Sequence, residues 1–153
     1  KDFYEHIGVD LQAITRALIT NLKNYGKGKR LVGASTITQQ VAKNFLLSSE
    51  VTFERKIKEA ILAIRIERAF SKKEILELYL NQIYLGNNSY GIAAAALNYF
   101  DKSLDNLDFS EAAFLAALPK APNNYNPILK NKQAIMRRNW VLLQMSRIFS
   151  AAI

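Results

Sequence analysis

Thr52-Phe53-Glu54-Arg55-Lys56-Ile57-Lys58-Glu59-Ala60-Ile61-Leu62-Ala63-Ile64-Arg65-Ile66-Glu67-Arg68-Ala69-Phe70 is the stretch on which the fold turns. It reads as one long helix whose middle, Ala60-Ile61-Leu62-Ala63-Ile64, is apolar on every side. A helix apolar all round is buried all round, so this one is expected at the centre of a helical protein. The chain on both sides agrees. Asp10 can cap a helix with Leu11, Ile14, Leu18 and Leu22 at the helical period, ending before Gly26. Thr36 with Gln39 forms a capping box for a helix through Asn44, and Ser71 with Glu74 and Asp108 with Glu111 repeat the device. The second of these helices is predicted over Lys72–Leu85, with Gly86 at its C-terminal cap. Pro119, Pro122 and Pro127 bracket a loop over Lys120–Asn126, and Leu129–Phe149 reads as a last helix with Arg137, Arg138 and Arg147 outside. No alternating strand pattern of convincing length occurs, so the expectation is a single all-α domain.

Composition narrows the partners. The 153 residues are 50% apolar and 22% charged, the balance of a globular domain large enough to bury a core. The net charge is +8, and residues 1–73 hold 14 Lys/Arg against 7 Asp/Glu, so +7 of it lies in that half. Such a lopsided balance suits nucleic acid, an anionic membrane surface or a phosphorylated substrate. The absence of Cys excludes disulfides, thiolate metal sites and a Cys nucleophile. The longest apolar run, Ala112 to Leu118, is seven residues, far below the roughly 18 of a membrane span. No signal peptide is visible, so any export signal or anchor is expected outside this chain.

Two polar clusters could carry chemistry. Arg55, Lys56 and Glu59 share one face of the long helix, as a solvated ion pair would, but five apolar residues follow Glu59 at once. A carboxylate at the mouth of a buried helix has a tunable proton affinity. The second cluster is Gly33-Ala34-Ser35-Thr36-Ile37-Thr38-Gln39-Gln40-Val41-Ala42-Lys43-Asn44, just after a basic loop holding Lys27, Lys29 and Arg30. A loop entering a helix N-terminus presents free N–H groups to phosphate; Ser35, Thr36 and Thr38 add hydroxyls, and Gln40, Lys43 and Asn44 share a face. A well-capped amphipathic helix is the alternative. Lys43 lacks the glycine spacing of a P-loop, which disfavours nucleotide binding. His6, the only histidine, suits a structural place better than a metal site. Tyr79, Tyr84, Tyr90 and Tyr99 are expected to pack with their hydroxyls at the rim, and Phe45-Leu46-Leu47 is either core or an apolar tip at a membrane interface.

At these residues the sequence resembles the peptidoglycan glycosyltransferases, the family carried by class A bifunctional penicillin-binding proteins. Phe3-Tyr4-Glu5-His6-Ile7-Gly8-Val9-Asp10 resembles the tail of that family's first motif, and Gly33–Asn44 its Gly-Gly-Ser-Thr-Ile-Thr-Gln-Gln motif followed by Lys-Asn. Arg55-Lys56-Ile57-Lys58-Glu59 is similar to its Arg-Lys-x-x-Glu. Lys73–Asn81 with Gly86, Tyr90-Gly91 and Ala93–Ala96 resembles the fourth motif, and Glu111 through Pro127 the fifth. Departures are Ala34 for a frequent Gly, Asp101 for a usual Gly, and Lys120 for a common Gln.

The resemblance implies a lysozyme-like helical domain with a small membrane-facing jaw from about residues 11–50. It implies polymerisation of lipid II at the outer face of the bacterial cytoplasmic membrane, with an N-terminal anchor outside this chain. The acceptor's 4-hydroxyl attacks the anomeric carbon of the lipid-linked glycan strand, undecaprenyl pyrophosphate leaves, and the configuration inverts. Lys43, Arg55 and Lys56 would bind pyrophosphate; Ser35, Thr36, Gln40 and Asn44 would line the sugar and phosphate path; Phe3 and His6 would shape the cleft. Glu59 would be the second essential carboxylate, near the leaving group or a divalent cation, Mg or Mn, that bridges it. The family's general base is the Glu of a Glu-Asp pair, and by register that pair falls immediately before Lys1, so the N-terminal part of the domain is expected upstream. A chain without that Glu is expected to bind lipid II without polymerising it. Lipid II, the lipid-linked strand and an anionic membrane surface are the implied partners, with a C-terminal transpeptidase domain in the full-length protein. A lytic muramidase is the rival enzyme, and it needs no basic pyrophosphate site. No nucleic acid partner is expected, because none of the known nucleic-acid motif spacings is present.

Overall fold

Capping side chains set where most of the helices begin. In the computed structural model, which describes residues 3–29, 31–46, 52–127 and 129–151, Asp10 Oδ1 accepts the Ala13 N–H at 2.7 Å and opens α1 (Leu11–Asn24). Thr36 Oγ1 accepts the Gln39 N–H at 3.1 Å while Gln39 Oε1 accepts the Thr36 N–H at 3.0 Å, a reciprocal box ahead of α2 (Ile37–Phe45). Thr52 caps α3 (Phe53–Ala69) through the Arg55 N–H at 3.2 Å. The Ser71 N–H and hydroxyl both donate to Glu74 at 2.7 Å, at the start of α4 (Lys72–Gln82). After α5 (Ile92–Phe100), Asp108 and Glu111 form another box for α6 (Phe109–Ala117). Short 3₁₀ turns at Leu118–Lys120 and Pro122–Asn124 follow, then α7 (Asn131–Ala151). Among the described residues the only β-type pairing is one isolated bridge, Tyr84 to Tyr90, so the fold is all-α as the sequence indicates.

Contacts divide the chain into two compact units, Lys1–Tyr79 and Leu80–Ile153, with the division inside α4. In the first, α3 packs on α2, and Val41, Ala42, Ala63, Ile66 and Ile75 form the core with Phe3, Ile37, Leu62, Leu78 and Tyr79 against it. In the second, Leu85, Ala95, Ala96, Phe114, Leu115, Leu118 and Ala134 form the core, edged by Tyr99 and Phe100. Tyr99 keeps its ring edge-on to Phe114 and donates its hydroxyl inward, to the carbonyl of the buried Leu85 at 3.0 Å, rather than holding it at the rim.

Three expectations need correction. The long helix is not buried on every side: Glu59, Ala63 and Ile66 face the core, whereas Ile57 and Ile61 are about half exposed. The buried positions recur at i, i+4 and i+7, so the helix has one inner face, and the five-residue apolar run is too short to need a second. Next, α4 ends at Gln82 rather than Leu85, and Gly86 does not cap it. The Leu85 N–H turns instead to the Ser89 carbonyl at 2.9 Å, with Gly86 at φ +83° inside that turn. Lastly, Arg137 and Arg138 are not wholly outside: both are half-buried, and the Arg137 guanidinium lies 4.1 Å from the centre of the Trp140 ring.

Candidate active site

The first unit gathers the polar clusters around the N-terminal end of α3. Its first two turns place Arg55, Lys56 and Glu59 on one side, and packing against α2 buries Glu59 to 2% exposure. Glu59 Oε2 accepts from Lys56 Nζ at 2.6 Å, and Oε1 lies 3.2 Å from Arg55 Nε. The second contact has ion-pair distance without hydrogen-bond alignment, so Oε1 is a buried acceptor held by charge rather than by a directed bond. Two cations keep this carboxylate compensated where an isolated one would be costly. Lys56 is 48% exposed and donates a second hydrogen bond, at 2.9 Å, to Ser35 Oγ. An ammonium has three donors, so one remains for an anion arriving from solvent.

That bond links the cluster to a cleft of about 200 Å³ lined by Phe3, His6, Ser35, Thr36, Ile37 and Gln40, among others. The structure thus brings together six of the site residues read from the sequence: Phe3, His6, Ser35, Thr36 and Gln40 in the cleft, and Lys56 through Ser35. Arg55 and Glu59 join through their pairing with Lys56. Lys43 and Asn44 lie one turn beyond Gln40 on the same face of α2 and are exposed, outside the cleft lining. Among the described residues Lys43 pairs with no carboxylate.

Two of the hydroxyls read as phosphate donors are already engaged. Thr36 Oγ1 donates to the Gly8 carbonyl at 2.6 Å besides capping α2, and it is buried. Thr38 is fully buried and donates to Glu67 Oε1 at 2.6 Å. Ser35, which is exposed, is the hydroxyl left facing the cleft. His6 is mostly buried, and its Nδ1 accepts the Gly8 N–H at 3.2 Å, so the neutral ring carries its hydrogen on Nε2. Its ring meets that of Phe3 edge-on at 6.1 Å.

Sequence reasoning missed a second, partly buried carboxylate, Glu67, which takes a hydrogen bond from Lys72 Nζ at 2.8 Å as well as from Thr38. The signal was present in its spacing: Glu67 follows Glu59 by eight residues and Ala63 by four, on the face that the core covers. Among the described residues no group of three His, Cys, Asp or Glu side chains could hold a metal. Glu59 is also faced by two cations, so these residues do not fit a resident divalent ion held by protein ligands.

The transglycosylase family model matches residues 1–146. The chain is 56% identical over 145 residues to penicillin-binding protein 1A of Rickettsia felis, covering 95% of this chain and 18% of that protein. It is 57% identical over 145 residues to penicillin-binding protein 1A of Aquifex aeolicus, covering 95% and 20%. It is also similar to the crystal structure of penicillin-binding protein 1A from Haemophilus influenzae, at 39% identity and a TM-score of 0.47, covering 76% of this chain and 14% of that one. The chain spans about a fifth of the length of the curated relatives it matches.

Proposed function

Because the chain belongs to the transglycosylase family, we propose that it is the glycan-polymerising domain of a longer class A penicillin-binding protein. The observation that carries the reading is the buried Glu59 with Arg55 and Lys56 on it, tied through Ser35 to the cleft at the start of α2. The substrate is lipid II, added to a lipid-linked glycan strand. The acceptor's 4-hydroxyl attacks the anomeric carbon of the strand, and the bond from that carbon to the pyrophosphate oxygen breaks. The hydroxyl proton goes to a carboxylate base, the role that the family's first motif gives to the Glu of its Glu-Asp pair, and undecaprenyl pyrophosphate departs with its electron pair. Attack from the opposite face inverts the configuration.

Charge builds on the leaving pyrophosphate, so cations fixed in advance lower the barrier. Lys56, already oriented by Glu59 and Ser35, presents its remaining donor, with Arg55 beside it. Lys43 adds positive charge from the exposed face of α2, and the dipole of that helix points its positive end at the cleft. Phe3, His6, Gln40 and Asn44 guide the sugars and phosphates, while Thr36 holds the shape of the loop. Glu59 keeps the two cations aimed when substrate is absent.

The membrane-facing jaw, taken as residues 11–50, fits what α1 exposes. Leu11, Leu18, Leu22, Tyr25 and Leu31 lie in solvent beside Lys23, Lys27 and Lys29, and Phe45 is exposed too. An apolar face with basic neighbours suits the surface of an anionic bilayer. Arg30 and Leu47, read as part of the same surface, lie outside the described residues. Among the described residues no helix is long and apolar enough to cross a membrane. The surrounding protein would supply the anchor, the periplasmic placement and a transpeptidase domain.

The test is incubation of labelled lipid II with the full-length protein. The expected products are a ladder of glycan strands and one undecaprenyl pyrophosphate per bond formed. Shortening of preformed strands with no growth from lipid II would replace the reading by a lytic one.

A further inference from the structure

The ion pair between Glu67 and Lys72 has no part in the chemistry above, and drawing the Glu67 carboxylate largely out of water is costly if the pair merely stabilises. Its geometry suggests a task. Glu67 Oε1, on α3, accepts from the Thr38 hydroxyl of α2 at 2.6 Å and from Lys72 Nζ of α4 at 2.8 Å. Lys72 Nζ also donates to the His6 carbonyl at 2.6 Å and stands 4.8 Å from the centre of the Phe3 ring. The same Glu67 oxygen lies 4.0 Å from His6 Nδ1. One ion pair thus fastens the segment carrying Phe3 and His6, one wall of the cleft, to three helices. A second fastening lies a few residues on. The Gly8 carbonyl accepts from Thr36 Oγ1, and at φ +94° a Cβ on Gly8 would sit 2.8 Å from the Ala63 carbonyl oxygen.

We propose that Glu67 and Lys72 are positioning residues, which hold the Phe3–Gly8 wall at the distance from Ser35 and Gln40 that the sugar needs. The proposal rests on the glycosyltransferase reading and adds two residues to it. It explains why a second carboxylate, two turns beyond Glu59 on the same helix, is held by a hydroxyl of α2 and a cation of α4. It also explains why the Lys72 ammonium divides its donors between Glu67 and the wall's backbone: rotation of the wall breaks the His6 contact while the pair keeps its hold on α2 through Thr38.

The experiment compares Glu67→Gln, Lys72→Met and Lys72→Arg in the full-length protein, by steady-state polymerisation of labelled lipid II, thermal melting, and amide hydrogen exchange. Displaced walls cost turnover, so Glu67→Gln and Lys72→Met should lose about 10- to 100-fold in kcat with little change in KM. Lys72→Arg, which keeps the charge and donors, should recover most of the loss. In the two disruptive variants the amides of residues 3–9 should exchange about tenfold faster or more, while those of α2 and α3 keep their protection. Lowered melting with unchanged kcat and unchanged exchange in residues 3–9 overturns the proposal. So does a fall in kcat without faster exchange there, because the pair would then act directly. Gly8→Ala leaves the pair intact and pushes the wall off Ala63, so it should reproduce the kcat loss; normal turnover from it also overturns the proposal. If the wild type makes no polymer, the functional reading fails separately, and the exchange comparison alone decides the clamp.

Discussion

The two units bury opposite kinds of side chain. Of the buried polar residues described, Thr36, Thr38, Gln39 and Glu59 lie in the first unit, and only Ser89 in the second. The second unit closes instead on Phe114, Leu115, Leu118 and small alanines. The lesson is a division of labour. The first unit accepts buried charge and exposed leucines, as the proposed contacts with pyrophosphate and lipid would require, while the second is packed as an ordinary apolar core.

The most damaging way to break this comparison is backbone strain in the second unit. Gly91 has φ +82°, and a Cβ there would lie 2.5 Å from the Asn81 carbonyl oxygen. Gly91→Ala should therefore destabilise the protein by about 3 kcal/mol or more, read by denaturant unfolding. A cost below about 1 kcal/mol would show that the turn is not fixed as described. Leu118→Ala removes a fully buried side chain and should cost about 3 kcal/mol, while the KM for lipid II stays at the wild-type value. A shifted KM would blur the division between the units.

Smaller effects come from titration. Burial pushes the Tyr79 phenol, in the first core, up to about 12. An unfolded tyrosine ionises near 10, so above that pH the unfolded chain has lost a proton that the folded chain keeps. The stabilisation is complete below pH 10 and is lost as pH rises toward about 12. In a phenolate absorbance titration one of the seven tyrosines should ionise last, and Tyr79→Phe should remove that late step. The smallest effect belongs to the half-buried Glu111, held below the usual carboxylate range by the Lys102 hydrogen bond and then by the Asp108 N–H. Its contribution is present above the ordinary carboxylate pKa and fades as pH falls through the lowered one. Lys102→Met should flatten that part of the acid limb of stability against pH, and an unaltered limb would remove Glu111 from the account.

Local rules made much of this readable in advance. Asp10, Thr36 with Gln39, Ser71 with Glu74 and Asp108 with Glu111 all cap the helices their spacing indicates, because a cap depends on neighbours three residues away. What the spacing could not convey was which face of a helix the rest of the chain covers. Ile57 and Ile61 look like core yet stay half exposed, and Thr38 looks like a phosphate donor yet turns inward to Glu67. The helix Ile92–Phe100 was legible only as an alanine-rich piece of a family motif, and the end of α4 depended on the distant pairing of Tyr84 with Tyr90. Glu59, Arg55 and Lys56 were found because three and four residues bring side chains together on any helix. Glu67 and Lys72 meet across two helices, five residues apart in sequence, where no single-helix period applies.

The central claim is that the buried Glu59, with Arg55 and Lys56, is the heart of the glycosyl transfer site. Its most direct test measures glycan-strand synthesis from labelled lipid II by the full-length protein and by its Glu59→Gln variant, both shown to be folded by circular dichroism. The account predicts a ladder of strands from the wild type and a rate lower by about 100-fold or more from the variant. Polymer formed at comparable rates by both proteins would contradict it.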